Sequence, residues 1–84
     1  MQVFYSSRFS RQYKKLSQEI RIKASEKEII FRTNPFARQL NTHKLGGDLS
    51  GLWAFSVDYK TRIIFEFISS DEIRFHTIGG HEVY

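Results

Sequence analysis

The sequence predicts a single α+β domain in which two helices cover one face of a small antiparallel β-sheet. In the first half of the chain, apolar residues recur every three or four positions, which is typical of amphipathic helices. In the second half they recur at every second position, which is typical of half-buried strands. The period changes near Pro35, the only proline. A chain of 84 residues has room for one domain, residues 1–84, with the predicted order β-α-α-β-β-β.

The first half begins with the apolar run "QVFYS", residues 2–6, which predicts a strand. Ser6 or Ser7 can then cap a helix by accepting a hydrogen bond from a backbone amide of the first turn. A break near Ser17 predicts a second helix, so that the two form a hairpin. That helix should end before Pro35, because the residue preceding a proline avoids the helical conformation. The predicted buried stripe consists of Phe9, Tyr13, Leu16 and Ile20.

The second half contains three segments of alternating polarity, "GLWAFSVDY", "TRIIFEFI" and "DEIRFHTI". Their connectors are short, so we expect an antiparallel meander. The apolar parity, which in the last segment is Ile73, Phe75 and Thr77, should face the helices. The loop "NTHKLGGDLSG" between the halves has room for a short edge strand. The open face of the sheet is expected to carry Asp58, Arg62, Arg74 and His76.

Composition narrows the classes of function. The formal net charge of +4 favours an anionic partner, either nucleic acid or an acidic protein, although it would also serve solubility alone. There is no cysteine, which excludes disulfides and cysteine metal sites. No stretch approaches the roughly 18 apolar residues of a membrane span, and the first residues do not resemble a signal peptide. We therefore expect a cytoplasmic protein without a membrane partner.

Common enzyme motifs are missing, since the sequence contains no GxGxxG, P-loop or GxSxG pattern. The three histidines lack the helical spacing of a metal site, so we expect neither a metal nor a cofactor. A basic surface with histidine, arginine and tyrosine suits RNA cleavage without a metal. Histidine can move the protons, arginine can bind the phosphate through two parallel hydrogen bonds, and an aromatic ring can stack on a base.

The last six residues, "GGHEVY", can either fold back onto the sheet or fray. If they fold back, His81 and Tyr84 come to the end of the sheet beside the open face. If they fray, both are inert. Arg62 and His43 are ambiguous by position alone, because each can equally be a solvated surface residue. His76, in the middle of a strand, is expected to be structural or a binding contact.

The longer pattern carries a family resemblance. The "NPF" that closes a helix, the stretch "HKLGGDLSGLWAFSVDYKTRIIFEF" and the final "GGHEVY" resemble the RelE/ParE superfamily of bacterial toxins from type II toxin–antitoxin systems. The resemblance covers essentially the whole chain. RelE-type members are mRNA endonucleases that act in the ribosomal A site, and they are neutralised by a cognate antitoxin. The pair commonly represses its own operon, so operator DNA is expected as a partner only through the antitoxin complex.

The resemblance also implies roles for individual residues. Arg62 matches the sheet arginine that contacts the scissile phosphate. His81 matches a C-terminal histidine used as acid or base, and Tyr84 matches a terminal aromatic residue that aligns the substrate. His43 matches a loop position that is functional in some branches. The expected catalytic set is thus His81, Arg62, His43 and Tyr84, and the expected RNA-binding set is Lys44, Lys60, Arg74 and His76, with Asp58 as an orienter of a neighbouring side chain.

Two alternatives remain open within the same resemblance. ParE-type members share the fold but inhibit DNA gyrase and have no nuclease activity, in which case Arg62 and His81 would be incidental. An inactive relative that only binds an antitoxin is the second alternative. The spacing from His81 to Tyr84 is compact compared with some members of the superfamily, and some relatives use lysines and arginines in place of histidines.

Overall fold

The computed structural model describes residues 1–80 and Val83, and it confirms the α+β class. Two helices pack on one face of a five-stranded sheet. Two short 3-10 helices lie in the connection between the helical and the strand halves. The elements are β1 (Gln2–Tyr5), α1 (Ser7–Lys15), α2 (Gln18–Thr33), β2 (His43–Lys44), β3 (Trp53–Ser56), β4 (Arg62–Ser69) and β5 (Glu72–Gly79).

Both helices are preceded by a capping serine, which confirms the cap predicted at Ser6 or Ser7 and the break predicted near Ser17. The Ser6 hydroxyl oxygen accepts a hydrogen bond from the Phe9 amide at 2.9 Å, and Ser17 does the same for Ile20 at 3.2 Å. The second helix ends at Thr33, two residues before the proline. Within residues 1–80, neither helix combines the length and apolar character that crossing a bilayer requires.

The sheet has the strand order β1-β5-β4-β3-β2. Strands β3, β4 and β5 form the predicted antiparallel meander, and β2 is the short edge strand in the loop. The sheet as a whole is mixed, because β1 pairs with β5 in parallel, with Tyr5 opposite Phe75. The expectation of a wholly antiparallel sheet was wrong at this strand. The partner of β1 is not the next strand in the chain but β5, which follows the helices and three other strands. The local sequence of β1 therefore does not show in which direction it pairs.

The core lies between the helices and the sheet. From α2, the ring of Phe31 contacts those of Phe55, Phe65 and Phe75, with centroids 4.8, 4.9 and 5.5 Å away. All four side chains are fully buried. From α1, Phe9 lies 5.5 Å from the same Phe75 ring. Edge-to-face and stacked rings of this kind fix the position of each element against the sheet.

A β-bulge interrupts the pairing of β4 with β5. Ile64 lies opposite Thr77 and the next residue of β4, Phe65, lies opposite Phe75, so His76 is left without a partner across the strands. Beyond the bulge the alternation is reversed, and Ile78 belongs to the core cluster. The expected parity was therefore wrong for Thr77, because one extra residue shifts every later side chain to the other face.

Where β5 extends past the end of β1, side chains at the start of the helical half form hydrogen bonds with its backbone groups. The Ser6 hydroxyl donates to the His76 carbonyl oxygen at 2.6 Å, and the Gln12 side-chain oxygen accepts from the Ile78 amide at 3.0 Å. These bonds occupy backbone groups that an uncovered edge would offer to another chain. They also hold the backbone of the bulge in place.

Candidate functional site

The sheet face that points away from the helices carries most of the residues that the sequence singled out. One row across it is given by the pairs His43 with Ala54, Ala54 with Ile64, and Ile64 with Thr77. Residues directly opposite one another share a face, so this row defines what we call the outer face. Ala54, Ile64 and Thr77 are buried, although they are outside the helix-side core cluster. The expected open face therefore has an apolar, buried centre.

Arg62 lies on the outer face, opposite Ser56 on one side and Gly79 on the other. Its Nη1 donates to the carbonyl oxygen of Asp58 at 2.6 Å and to that of Thr61 at 3.3 Å. Among residues 1–80 and 83, no hydrogen-bond partner is found for its Nε or Nη2. The guanidinium is therefore fixed from one side and has donors left for an anion.

Asp58 shapes the turn that holds Arg62. Its Oδ1 accepts hydrogen bonds from the backbone amides of Lys60 at 2.9 Å and Thr61 at 2.7 Å. Partial burial acts to raise the pKa of Asp58, but hydrogen bonds from Thr61 and Lys60 together outweigh it and lower the pKa below its ordinary value. Asp58 thus acts on Arg62 through the turn, since its side chain orders the backbone whose carbonyls bind the guanidinium.

Replacing Asp58 with alanine is expected to cost about 1–2 kcal/mol of unfolding free energy near neutral pH, because two backbone amides lose their acceptor. The lowered pKa means that ionised Asp58 stabilises the folded state above the unfolded value of about 3.9, and that this stabilisation is lost as the pH falls through the folded pKa. The difference between wild type and Asp58→Ala, measured by denaturant unfolding, should therefore shrink in acid. A difference that stays constant down to the lowest pH would contradict this, and Asp48→Ala, at an exposed loop carboxylate, is the control.

His43 is exposed on β2, at the far end of the outer-face row. Its Nδ1 lies 2.8 Å from the carbonyl oxygen of Asn41. A carbonyl oxygen can only accept, so Nδ1 carries the hydrogen and, in the neutral ring, Nε2 is the nitrogen that can take a proton. The backbone of Asn41 is left-handed, with φ of 50°, which places its carbonyl beside the ring.

His76 lies at the other end of the outer face. Its Nε2 is 2.7 Å from Oε1 of Glu66, and Nη1 of Arg74 approaches the same oxygen at 3.8 Å. His76 and Glu66 are both about two-thirds buried, with 31% and 34% of their side-chain surface exposed. Glu66 was not among the predicted site residues. Its signal in the sequence is the alternation of "RIIFEF", which puts it on the same face as Arg62.

The two predicted lysines are placed differently. Lys60 is exposed in the turn before Arg62, with its Nζ 5.6 Å from the centroid of the Tyr59 ring. Lys44 lies opposite Trp53, with Nζ 5.5 Å from that ring, and Trp53 packs on the helix-side core. Lys60 therefore lies in the turn that precedes Arg62, whereas Lys44 lies on the other face of the sheet.

Of the last six residues, "GGHEVY", the structure describes Gly79, Gly80 and Val83. His81 and Tyr84, both predicted to be catalytic, lie outside the described residues. The Val83 amide donates to the carbonyl oxygen of Gly80 at 3.2 Å. The geometry of the candidate site therefore stands on Arg62, His43, and His76 with Glu66.

The outer face combines these groups around an apolar strip. With neighbouring strands about 4.8 Å apart, the row from β2 to β5 spans roughly 14 Å between the backbones of its end residues. His43 and His76 flank the strip at opposite ends, and Arg62 lies between them along β4. Within residues 1–80 and at Val83, no group of three or more acidic or histidine side chains could hold a metal ion. The arrangement can bind an anion and exchange protons at imidazole nitrogens.

Comparisons with known proteins bear on the fold. No family model matches the sequence, and no curated protein matches it. Solved structures do match. A YoeB/ParE toxin from Agrobacterium tumefaciens superposes with a TM-score of 0.81 at 16% identity, over 96% of this chain and 99% of that one.

Two other solved structures are similar over nearly their whole length. YafQ from E. coli gives a TM-score of 0.72 at 20% identity, over 96% of this chain and 93% of the other. The toxin–antitoxin complex RelBE2 from Mycobacterium tuberculosis contains a chain with a TM-score of 0.78 at 15% identity, over 95% of this chain and 96% of that one. The protein therefore has the fold of the RelE/ParE-like toxins.

Proposed function

We propose that this protein is the toxin of a type II toxin–antitoxin system and acts as a ribosome-dependent mRNA endoribonuclease. The observation that carries the proposal is the outer face, where the anchored guanidinium of Arg62 shares one surface with two histidines. Each of those imidazoles has one nitrogen held by a protein oxygen, which orients the ring. The similarity to toxin folds also supports this function, and it does not depend on the geometry of these side chains.

The proposed reaction is metal-independent. The 2′-hydroxyl of one nucleotide loses its proton and attacks the adjacent phosphate. The bond from phosphorus to O2′ forms, the bond to O5′ breaks, and the leaving oxygen takes up a proton. The products are a 2′,3′-cyclic phosphate and a 5′-hydroxyl. Arg62 stabilises the charge on phosphorus, His81 is the preferred acid or base with His43 as its counterpart, and Tyr84 aligns the substrate.

Two exposed aromatic residues add to the proposed RNA contacts. Phe4 lies opposite Arg74 on β1, and its neighbours Val3 and Tyr5 pack toward the helices, so Phe4 is on the outer face. Tyr59 is exposed at the tip of the turn before Arg62. Unstacked bases bind such rings with about 1–3 kcal/mol per base, and arginine and lysine bind the backbone beside them. We propose that both rings contact RNA with Lys60, Arg74 and His76.

The proposed partners are a cognate antitoxin and the translating ribosome. Two similar structures are themselves complexes of a toxin with an antitoxin, named YoeB-YefM and RelBE2. The net charge of +4 would attract both an acidic antitoxin and ribosomal RNA. The ribosome can supply the mRNA path and the strand geometry, so free RNA should be cut poorly.

The test is to induce the protein without an antitoxin and to follow mRNA integrity and DNA supercoiling in the same cells. The proposal expects rapid translation arrest, with cleavage sites spaced by codon position. Intact mRNA with impaired supercoiling would identify the gyrase-directed alternative. Unimpaired growth at a confirmed level of folded protein would identify the inactive relative.

His81→Ala is expected to relieve growth arrest while binding to the antitoxin stays nearly unchanged. If His81 exchanges a proton in the reaction, its loss should slow cleavage by roughly 10²–10⁴-fold. Removal of residues 81–84 should have the same effect. Cleavage of programmed ribosomes measures the rate, and co-purification with the antitoxin is the control for folding. A fully active truncated protein would show that the ending takes no part.

A further inference from the structure

The β-bulge at His76 coincides with a close contact between two ionisable side chains of the outer face. His76 is the extra residue of the bulge, and its imidazole meets Glu66 of β4 at 2.7 Å. Bulges bend a strand locally and re-aim the side chain of the extra residue, and they are frequent beside active sites. The backbone of His76 is fixed as well, since its carbonyl oxygen accepts from the Ser6 hydroxyl at 2.6 Å. Backbone and ring are thus held by two different elements.

The contact with Glu66 determines which ring nitrogen can take a proton. An ionised carboxylate accepts only, so Nε2 of His76 carries the hydrogen that it donates to Glu66. In the neutral ring the lone pair is then on Nδ1. Among residues 1–80 and 83, Nδ1 has no hydrogen-bond partner, and the side chain is partly open to solvent. A carboxylate in this position also stabilises the imidazolium that forms on protonation.

We propose that His76 is a catalytic general base of the outer face and that Glu66 is its positioning residue. The inference rests on the proposed function, because it assigns groups in that same reaction. Nδ1 of His76 takes the proton of the attacking 2′-hydroxyl as the bond from O2′ to phosphorus forms. The bond to O5′ breaks, and the leaving oxygen takes a proton from water. His76 thereby takes the place of His43 or His81 as the base of the proposed reaction.

Within residues 1–80 and at Val83, few charged groups lie near the His76 imidazole. Glu66 contacts it from β4, and Arg74 on β5 approaches the same carboxylate from 3.8 Å. On the other side of β5, β1 contributes Phe4, which has no charge. Arg62 lies further along β4 on the same face. An ordinary cross-strand ion pair would show the same contacts, so the experiment has to separate catalysis from stability.

The experiment compares wild type with His76→Gln and Glu66→Gln in single-turnover cleavage of mRNA on purified programmed ribosomes, over a range of protein concentrations and pH. Glu28→Gln is the matched control, because Glu28 is also a hydrogen-bonded carboxylate but lies on the helix side, where it accepts from Arg32 and Tyr5. Thermal unfolding and near-ultraviolet circular dichroism establish that each variant is folded.

We expect His76→Gln to lower the saturating rate constant by roughly 10²-fold or more, with little change in the half-saturating concentration. Glu66→Gln should lower it by about tenfold, also with little change in the half-saturating concentration, because an amide holds the imidazole less firmly in the tautomer that leaves Nδ1 free to accept a proton. Glu28→Gln should match wild type in rate. A folded His76→Gln protein that cleaves like wild type would overturn the proposal alone, whereas a wild type that leaves ribosome-bound mRNA intact would overturn the proposed function and this assignment together.

Discussion

Arg62→Ala is expected to slow mRNA cleavage on the ribosome by roughly 10²–10³-fold, the effect of removing one preorganised donor from a developing negative charge. The guanidinium is held by two carbonyl oxygens of the preceding turn, so it meets the phosphate without reorganising. Arg62→Lys should retain the charge but lose the two parallel donors, and we expect an intermediate loss. The saturating single-turnover rate constant is the quantity to measure.

Because Arg62 also donates hydrogen bonds to backbone carbonyls, the control variant should lose an arginine with a bond of the same kind. Arg21→Ala removes a guanidinium that also donates to a backbone carbonyl, that of Lys14 at 3.5 Å, but on the helix side. It should leave the cleavage rate unchanged. Equal rates for Arg62→Ala and wild type, with both proteins folded, would remove Arg62 from the mechanism.

Phe31→Ala is expected to have the largest effect on stability, about 3–5 kcal/mol. Its side chain is fully buried and contacts a ring from each of the three central strands. Truncation removes those contacts and leaves a cavity that the surrounding rings cannot fill without moving. Since small domains unfold at a cost of about 5–15 kcal/mol, a large share of the variant should be unfolded near physiological temperature.

Denaturant unfolding measures this loss directly. Ile29→Ala is the matched control on the same helix, because Ile29 is 67% exposed and its truncation should change the unfolding free energy by about 0.5 kcal/mol or less. A similar loss for both variants would mean that the packing of α2 against the sheet is not what stabilises the domain.

The local elements of this protein follow from residues that are neighbours in the chain. Ser6 and Ser17 cap the helices, and Pro35 closes the second one, because capping and chain termination depend on residues within one turn. The alternation of apolar residues determined the three strands of the meander and placed Arg62 and His76 on the face away from the helices. The period of 2 is a property of the strand itself, so no distant contact is needed to read it.

Other features depend on pairing across the sheet and could not be predicted from the chain alone. The parallel direction of β1, the bulge at His76 and the partnership of His76 with Glu66 join residues on different strands. A period-2 pattern cannot show where an extra residue enters, because the energy of a bulge depends on both strands. The alternation of side chains along each strand determines which residues lie on the outer face. The register of β4 against β5 determines which of those residues are in contact.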